Sequence, residues 1–336
     1  MATTYVLGAG ASRHAGYPLA CEMGKALLEE MLKSTDGQGQ AYAEYLIDNF
    51  GSQFNIEDLI TELQTRIETL KSSTTAQDKI EYGRLGTRLG YLSTALRTWF
   101  CKIRTGKAHA YAQFAESIVR PGDVVISFNY DDSLERELKR VGKWDISRGY
   151  GFDLGSVIEP SAVLILKLHG SINWLVSLFG GATPGSVFAV PGNSSLGDRP
   201  VIHRADLEYL GYQEFSGYTY QSGGAFPCLI LPGRTKQFFY DTSFGQEFAE
   251  FWAFIWSQAA RALNQTDRIV ICGYSLLPVD RRACKLLLKE PKKDMPVSVV
   301  SGSQSERIAA NFKDAGFRNV TASSEGHFEG WCTAQL

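Results

Sequence analysis

Apolar positions along this chain follow two rhythms, and the alternation between them predicts an α/β protein. Thr3 to Leu7 is a short β-prone run that stops at Gly8-Ala9-Gly10. A helical pattern then runs from Pro18 to Lys33, with Leu19, Met23, Leu27, Leu28 and Met31 near one face. From Thr35 to Arg104 the pattern stays helical, in three stretches (Tyr42 to Phe50, Ile56 to Leu70 and Ile80 to Ile103). A further helix spans His109 to Val119, and Pro121-Gly122-Asp123 turns into the unbroken apolar run Val124 to Phe128. Such a run suits a strand buried on both faces of a parallel sheet.

The same rhythm continues with a helix over Asp131 to Val141 and a strand over Ala162 to Leu168, ending at His169-Gly170. Residues 178–240 are rich in Gly, Pro, Ser and aromatics and read as irregular or β-containing. Beyond them come a helix over Phe244 to Leu263, a strand over Arg268 to Cys272, and a helix through Lys289. A strand at Val297 to Val300, a helix at Ser305 to Ala315 and a strand near Asn319 to Thr321 complete the pattern. The predicted fold is a Rossmann-like, doubly wound parallel sheet with two insertions. Residues 1–34 and 105–336 form the main domain, 35–104 a helical insertion, and 178–240 the irregular one.

Composition narrows the class. In 336 residues, 44% are hydrophobic and 21% charged, with a net charge of -2. That balance provides no general attraction to nucleic acid or an acidic membrane. The stretch Phe248 to Leu263 carries Glu250 and Arg261 and is too short to span a bilayer. Cys21, Cys101, Cys228, Cys272, Cys284 and Cys332 include no C-x-x-C pair, which argues against a structural zinc site. The N-terminus lacks a basic region and cleavage site, so a cytoplasmic protein with reduced thiols is expected.

Four strand ends carry candidate chemistry, and in an open parallel sheet ligands bind at the carboxyl ends of the strands. Gly8, Ala9, Gly10 and Ser12 follow the first strand, where glycines let backbone amides approach a phosphate. The dinucleotide fingerprint is incomplete, since Arg13 stands where its third glycine belongs. Gly24-Lys25 is followed by Ala26, so there is no Walker loop. Asn129 and Asp131 follow the second strand, where Asp131 or Asp132 could equally cap the next helix. His169 ends the third, and Gly273 with Ser275 follows the Ile-Val-Ile-Cys strand.

In this order the four stretches resemble the sirtuin superfamily. Gly8-Ala9-Gly10-Ala11-Ser12 with Gly16-Tyr17-Pro18 matches its first motif, Asn129-Tyr130-Asp131 its Asn-x-Asp, His169-Gly170 its His-Gly, and Gly273-Tyr274-Ser275 its Gly-Thr/Ser-Ser. The departures are Leu19-Ala20-Cys21 in place of Asp-Phe-Arg, and the missing cysteine pairs of the zinc module. What remains is most similar to the zinc-less bacterial sirtuin-like NADases of anti-phage defence.

That resemblance implies an NAD⁺ glycohydrolase that releases nicotinamide and ADP-ribose, with no metal. It implies a homo-oligomer and a partner such as a HerA-family helicase or a short Argonaute, without direct nucleic-acid or membrane binding. Gly8, Ala9, Gly10 and Ser12 would hold the pyrophosphate with help from Ser275, and Gly273 would allow close approach. Asn129 would orient the ribose or attacking water, and Asp131 would meet the nicotinamide amide. His169 would act as general base on the ribose hydroxyls, and Ser301 would touch the adenosine ribose. The competing readings are an NAD-dependent protein deacylase or ADP-ribosyltransferase, and a non-enzymatic NAD⁺ or ADP-ribose sensor.

Overall fold

A computed structural model describes residues 2–33, 37–103, 109–146, 149–151, 162–177, 186–189, 201–202, 225–233 and 246–336. Six strands form one fully parallel sheet: β1 (Thr3–Leu7), β2 (Val124–Ser127), β3 (Leu164–Lys167), β8 (Arg268–Cys272), β9 (Val297–Val300) and β10 (Val320–Ala322). Their spatial order is β10-β9-β8-β1-β2-β3. The chain therefore winds outward from β1 to β2 and β3, then returns to β1's other side and winds outward again. The reversal point lies between β1 and β8, where a Rossmann-like sheet opens a crevice.

The apolar runs are explained by double-sided burial. Val6, Val125, Ile126 and the whole of Ile269 to Cys272 have no exposed surface. A run that touches core on both faces has no reason to alternate. Helices flank the sheet: α1 (Ala20–Leu32), α5 (His109–Gln113), α6 (Ser133–Arg140), α7 (Gln246–Gln265), α8 (Arg281–Lys289), α9 (Ser305–Asp314) and α10 (Phe328–Ala334). Sequence reading missed α10. It packs Trp331 and Phe328 around Tyr5 and Phe114, with Tyr5 edge-on to Phe114 at 4.8 Å.

The expected helical insertion contains α2 (Gly37–Phe50), α3 (Ile56–Lys71) and α4 (Ala76–Lys102), and α2 and α4 begin earlier than the apolar pattern suggested. Their first turns are polar, so hydrophobic spacing alone starts each helix late; Thr75 caps α4 by accepting from the Asp78 amide at 3.1 Å. On α3, Ile56, Leu59, Ile60, Leu63 and Ile67 are buried at helical spacing. These side chains join the same core as the sheet. Phe100 of α4 meets Tyr17 at 5.2 Å and Tyr130 at 6.1 Å, so the insertion reaches the loops at the carboxyl edge.

Part of the 178–240 expectation lies outside the described residues. Within them an antiparallel sheet forms in the order β6-β5-β4-β7, from β4 (Gly170–Ser177), β5 (Ser186–Ala189), β6 (Val201–Ile202) and β7 (Ala225–Leu229). It begins directly after His169. No helix among the described residues is long and apolar enough to cross a membrane.

Candidate functional site

The register of the parallel sheet puts the candidate strand ends on one level. Leu7 pairs with Ser127 and Cys272, Ser127 with Lys167, and Cys272 with Val300. The next residues are therefore Gly8, Phe128, Leu168, Gly273 and Ser301, and backbone bonds extend the ladder through this row. The amide of Phe128 donates to Leu7 O at 2.9 Å, Leu168 to Ser127 O at 2.9 Å, Gly8 to Cys272 O at 3.0 Å, and Gly273 to Val300 O at 2.9 Å. Asn129 and His169 then occupy equivalent places, one residue past that row on adjacent strands. The sequence motifs thus share a single sheet edge, as expected of a parallel α/β unit.

The two glycine turns pack against each other across the reversal point. A Cβ on Gly8 would lie 2.5 Å from Tyr274 Cα, and one on Gly10 would lie 2.9 Å from Gly273 Cα. Gly273 has φ +62°, and its Cβ would meet the Ala11 amide at 2.2 Å. These glycines are therefore required first for backbone-to-backbone packing. The amides of Gly8 and Gly10 are also engaged, the latter with Gly273 O at 2.9 Å. Gly273→Ala is expected to cost at least about 2 kcal/mol, the scale of a non-glycine residue forced into the left-handed region. A chemical denaturation midpoint unchanged by that substitution would contradict this packing account.

Below the turn, four buried side chains form a closed network. The Ser12 hydroxyl donates to Asp131 Oδ2 at 2.6 Å and accepts from Asn129 Nδ2 at 2.8 Å, and it lies 2.7 Å from the Tyr111 hydroxyl. A hydroxyl has one proton and two lone pairs. Since Ser12 gives its proton to the carboxylate, the Tyr111 hydroxyl donates to it, and all three positions are used. The Ser12 hydroxyl, expected at the phosphate, is thus bonded at all three positions inside the protein. Tyr111 is held as a neutral phenol, its pKa pushed well up by burial.

This network fixes the Asn129 amide. Its Nδ2 donates to both Gly8 O at 2.9 Å and Ser12, so a flipped amide would set its oxygen against two acceptors. Asn129 Oδ1 is consequently turned away from them, buried, and without a hydrogen-bond partner among the described residues. Asp131 accepts the Ser133 amide on Oδ1 at 3.1 Å, two residues on, while Asp132 occupies the N-cap position of α6 without a side-chain cap bond. Asp132 instead forms an ion pair with Arg136 at 3.1 Å, and burial pushes its carboxyl up.

His169 stands in a second cluster. Its backbone oxygen accepts from the Ile230 amide at 2.8 Å, and its ring sits edge-on to Phe128 at 5.0 Å. Phe128 stacks on Tyr274 at 4.2 Å with only 10° between the planes. The imidazole Nε2 lies 3.5 Å from Asp280 Oδ2. Gly170 follows because the chain must turn there with φ +82°, where a Cβ would sit 1.9 Å from Cys228 O. The His-Gly pair therefore marks the point at which the chain leaves one sheet for the other.

Several contributors escaped the sequence reading. Lys167 and Glu135 are buried and paired at 2.9 Å beneath the site, and the Lys167 ammonium also donates to Asp131 O. Tyr150 adds its hydroxyl to Glu135 at 3.3 Å, and burial pushes the Glu135 carboxyl up. The visible signal was a lysine inside an otherwise apolar strand, an unusual place for that residue. Asp280 and Tyr111 gave no comparable signal. Ser275 is exposed, and its carbonyl accepts Arg307 Nη2 at 2.6 Å, which brings a cation to the reversal point. Ser301 is half-buried, with its hydroxyl 3.4 Å from Tyr274 O and its amide donating to Ser305 Oγ at 2.8 Å.

Among solved structures, the chain is similar to one described as the structural basis for the mechanism and regulation of Sir2 enzymes. Identity there is 15%, covering 99% of this chain and 91% of that one, with a TM-score of 0.40. A Sir2 homolog–NAD complex matches at 12% identity, over 93% of this chain and 88% of that one, with a TM-score of 0.39. A structure concerned with sirtuin substrate affinity matches at 10% identity, over 89% and 82%, with a TM-score of 0.36. No protein-family model matches the chain, and no curated protein matches it.

Proposed function

We propose that this protein is a sirtuin-like NAD⁺ glycohydrolase, hydrolysing the nicotinamide–ribose bond to nicotinamide and ADP-ribose. The observation that carries the reading is the Asn129 amide, pinned by Gly8 and Ser12 with its buried oxygen left without a hydrogen-bond partner among the described residues. Buried polar atoms are normally paired, so a lone acceptor on a sheet edge is a place for a ligand's hydroxyl or for water. It suits the reaction, because a bond that breaks through an oxocarbenium-like state needs its ribose and attacking water held in place.

The chemistry follows from the charges. The C1′–N1 bond breaks with its electron pair going to the nicotinamide ring, which leaves neutral and needs no proton. Water oxygen bonds to C1′, and its proton passes to His169 as general base. Asn129 Oδ1 accepts from the attacking water or a ribose hydroxyl. Asp131 keeps lone pairs beyond its bonds to Ser12 and Ser133, and these take the nicotinamide amide. The pyrophosphate lies over the Gly8–Ala9–Gly10 turn, with Ser275 and Arg307 at its rim. Ser301 lines the adenosine end.

Hydrolysis is preferred to deacylation because the sequence has no C-x-x-C pair with which to build a zinc module beside a peptide cleft. On this reading the protein acts by depleting NAD⁺, as a defence effector, alone as an oligomer or beside a partner protein. The test is product analysis after incubation with NAD⁺, with and without an acyl-lysine peptide. Equal amounts of nicotinamide and ADP-ribose, independent of peptide, are expected. Nicotinamide release that requires the peptide would replace this reading with deacylation.

A further inference from the structure

We infer that Asp280 is the positioning residue for His169, completing a His–Asp pair between strand ends distant in sequence. The inference rests on the reading of His169 as the base in NAD⁺ cleavage. Tyr274 stacks on Phe128, and Leu276 is buried with φ +46°, a conformation that costs a non-glycine residue energy. Strain of that kind persists only where the surroundings impose it. Its consequence here is to carry Asp280 back over the ends of β2 and β3.

At that position Asp280 is fixed from two sides. Its Oδ1 accepts the Ala283 amide at 3.2 Å, capping α8, and its Oδ2 accepts the Tyr274 hydroxyl at 3.3 Å. Oδ2 also faces His169 Nε2 at 3.5 Å, and both side chains are buried. A helix cap needs only one carboxylate oxygen, and serine, threonine or asparagine serves as well. A buried carboxylate directed at a buried imidazole does more. It favours the tautomer that carries its proton on Nε2 and stabilises the imidazolium formed when His169 takes the water's proton.

Other charged and titratable groups also face this pair. Tyr274 comes from the same loop, and Tyr130 from the end of β2. Glu57 at the start of α3 acts with Asp280 to raise the Tyr130 phenol, whose pKa burial already pushes far up. Both tyrosines therefore enter as neutral groups, and Glu57 is the competing charge. Glu57→Gln separates its influence.

Asp280→Asn keeps the side-chain oxygen that caps α8 and removes the charge. Two measurements on the full chain decide the matter. The first is an NMR titration of the His169 imidazole in the wild type, Asp280→Asn and Glu57→Gln. Loss of Asp280's charge is expected to lower the His169 pKa by about one unit or more, whereas Glu57→Gln moves it less. An unchanged titration in Asp280→Asn overturns the pairing. The second is NAD⁺ turnover, where kcat is expected to fall about 10²- to 10⁴-fold, the contribution of a positioned base, with KM and ADP-ribose affinity retained and partial rescue by Asp280→Glu. A kcat kept at the wild-type value overturns the positioning role. If the imidazole titration shifts as expected while the wild type binds NAD⁺ without cleaving it, the pair stands and the glycohydrolase reading falls.

Discussion

Replacing Asn129 with alanine is expected to cut NAD⁺ cleavage by about 10²- to 10³-fold, the loss seen when one preorganised polar contact to a reacting centre is removed. The reason lies in the orientation of its amide. Both Nδ2 protons are committed to Gly8 O and Ser12 Oγ, so Oδ1 is held in one direction before any substrate arrives. Alanine removes that acceptor, leaves Gly8 O with only the Ala11 amide as donor and leaves one Ser12 lone pair unmatched, costing about 1–3 kcal/mol of stability. Asn129→Asp is the sharper probe. It preserves shape but puts acceptors where Nδ2 was a donor, beside the Asp131 carboxylate that Ser12 holds at 2.6 Å. It should lose activity at least as completely and be the less stable of the two. Steady-state kinetics with calorimetric ADP-ribose binding separate the effects, since the expected loss falls on kcat. Full turnover by the alanine variant would remove Asn129 from the reaction.

The second large effect is expected at Lys167. Lys167→Met leaves the Glu135 carboxylate buried without its ammonium, and breaking a buried pair from one side costs about 3–5 kcal/mol. The penalty depends on pH. Burial raises the Glu135 carboxyl above its ordinary 4.5, so the folded state holds a proton that the unfolded state has released. Stability from that group is complete below pH 4.5 and is lost as pH rises through the folded pKa. The Lys167→Met variant should therefore approach the wild type in acid and fall furthest behind near neutrality. Adding Glu135→Met should restore most of the difference, because an apolar pair of similar volume removes the stranded charge. Urea denaturation at several pH values measures this. A single-variant deficit independent of pH, or no recovery in the double variant, would mean that the pair is not coupled as described.

Much of the fold was legible in the sequence because its signal is local. Val124 to Phe128 and Arg268 to Cys272 are apolar runs bounded by turns, and burial on both faces is what such runs mean. The four strand-end motifs were legible for the same reason: Gly, Asn and His directly after an apolar strand are conspicuous. Their shared edge followed from the strand–helix alternation, but the residue-by-residue register did not, since it depends on pairing between segments far apart in the chain. The internal partners of Ser12 were not legible, because Tyr111 and Asp131 come from other elements. Asp280 was hidden behind an ordinary helix-capping pattern, and only the path of the Tyr274 loop brings it to His169. The helices of residues 35–104 read as a separate insertion because their internal spacing is regular. Phe100 against Tyr130 shows that they share the core next to the site.

The carboxyl edge bearing Asn129 and His169 is expected to cleave NAD⁺, and proton NMR of NAD⁺ mixed with the protein follows that bond directly. The wild type should yield nicotinamide and ADP-ribose in equal amounts, while Asn129→Ala and His169→Ala leave NAD⁺ essentially intact. Nicotinamide release that persists in both variants, or a wild type that binds NAD⁺ at this edge and returns it uncleaved, would contradict the account.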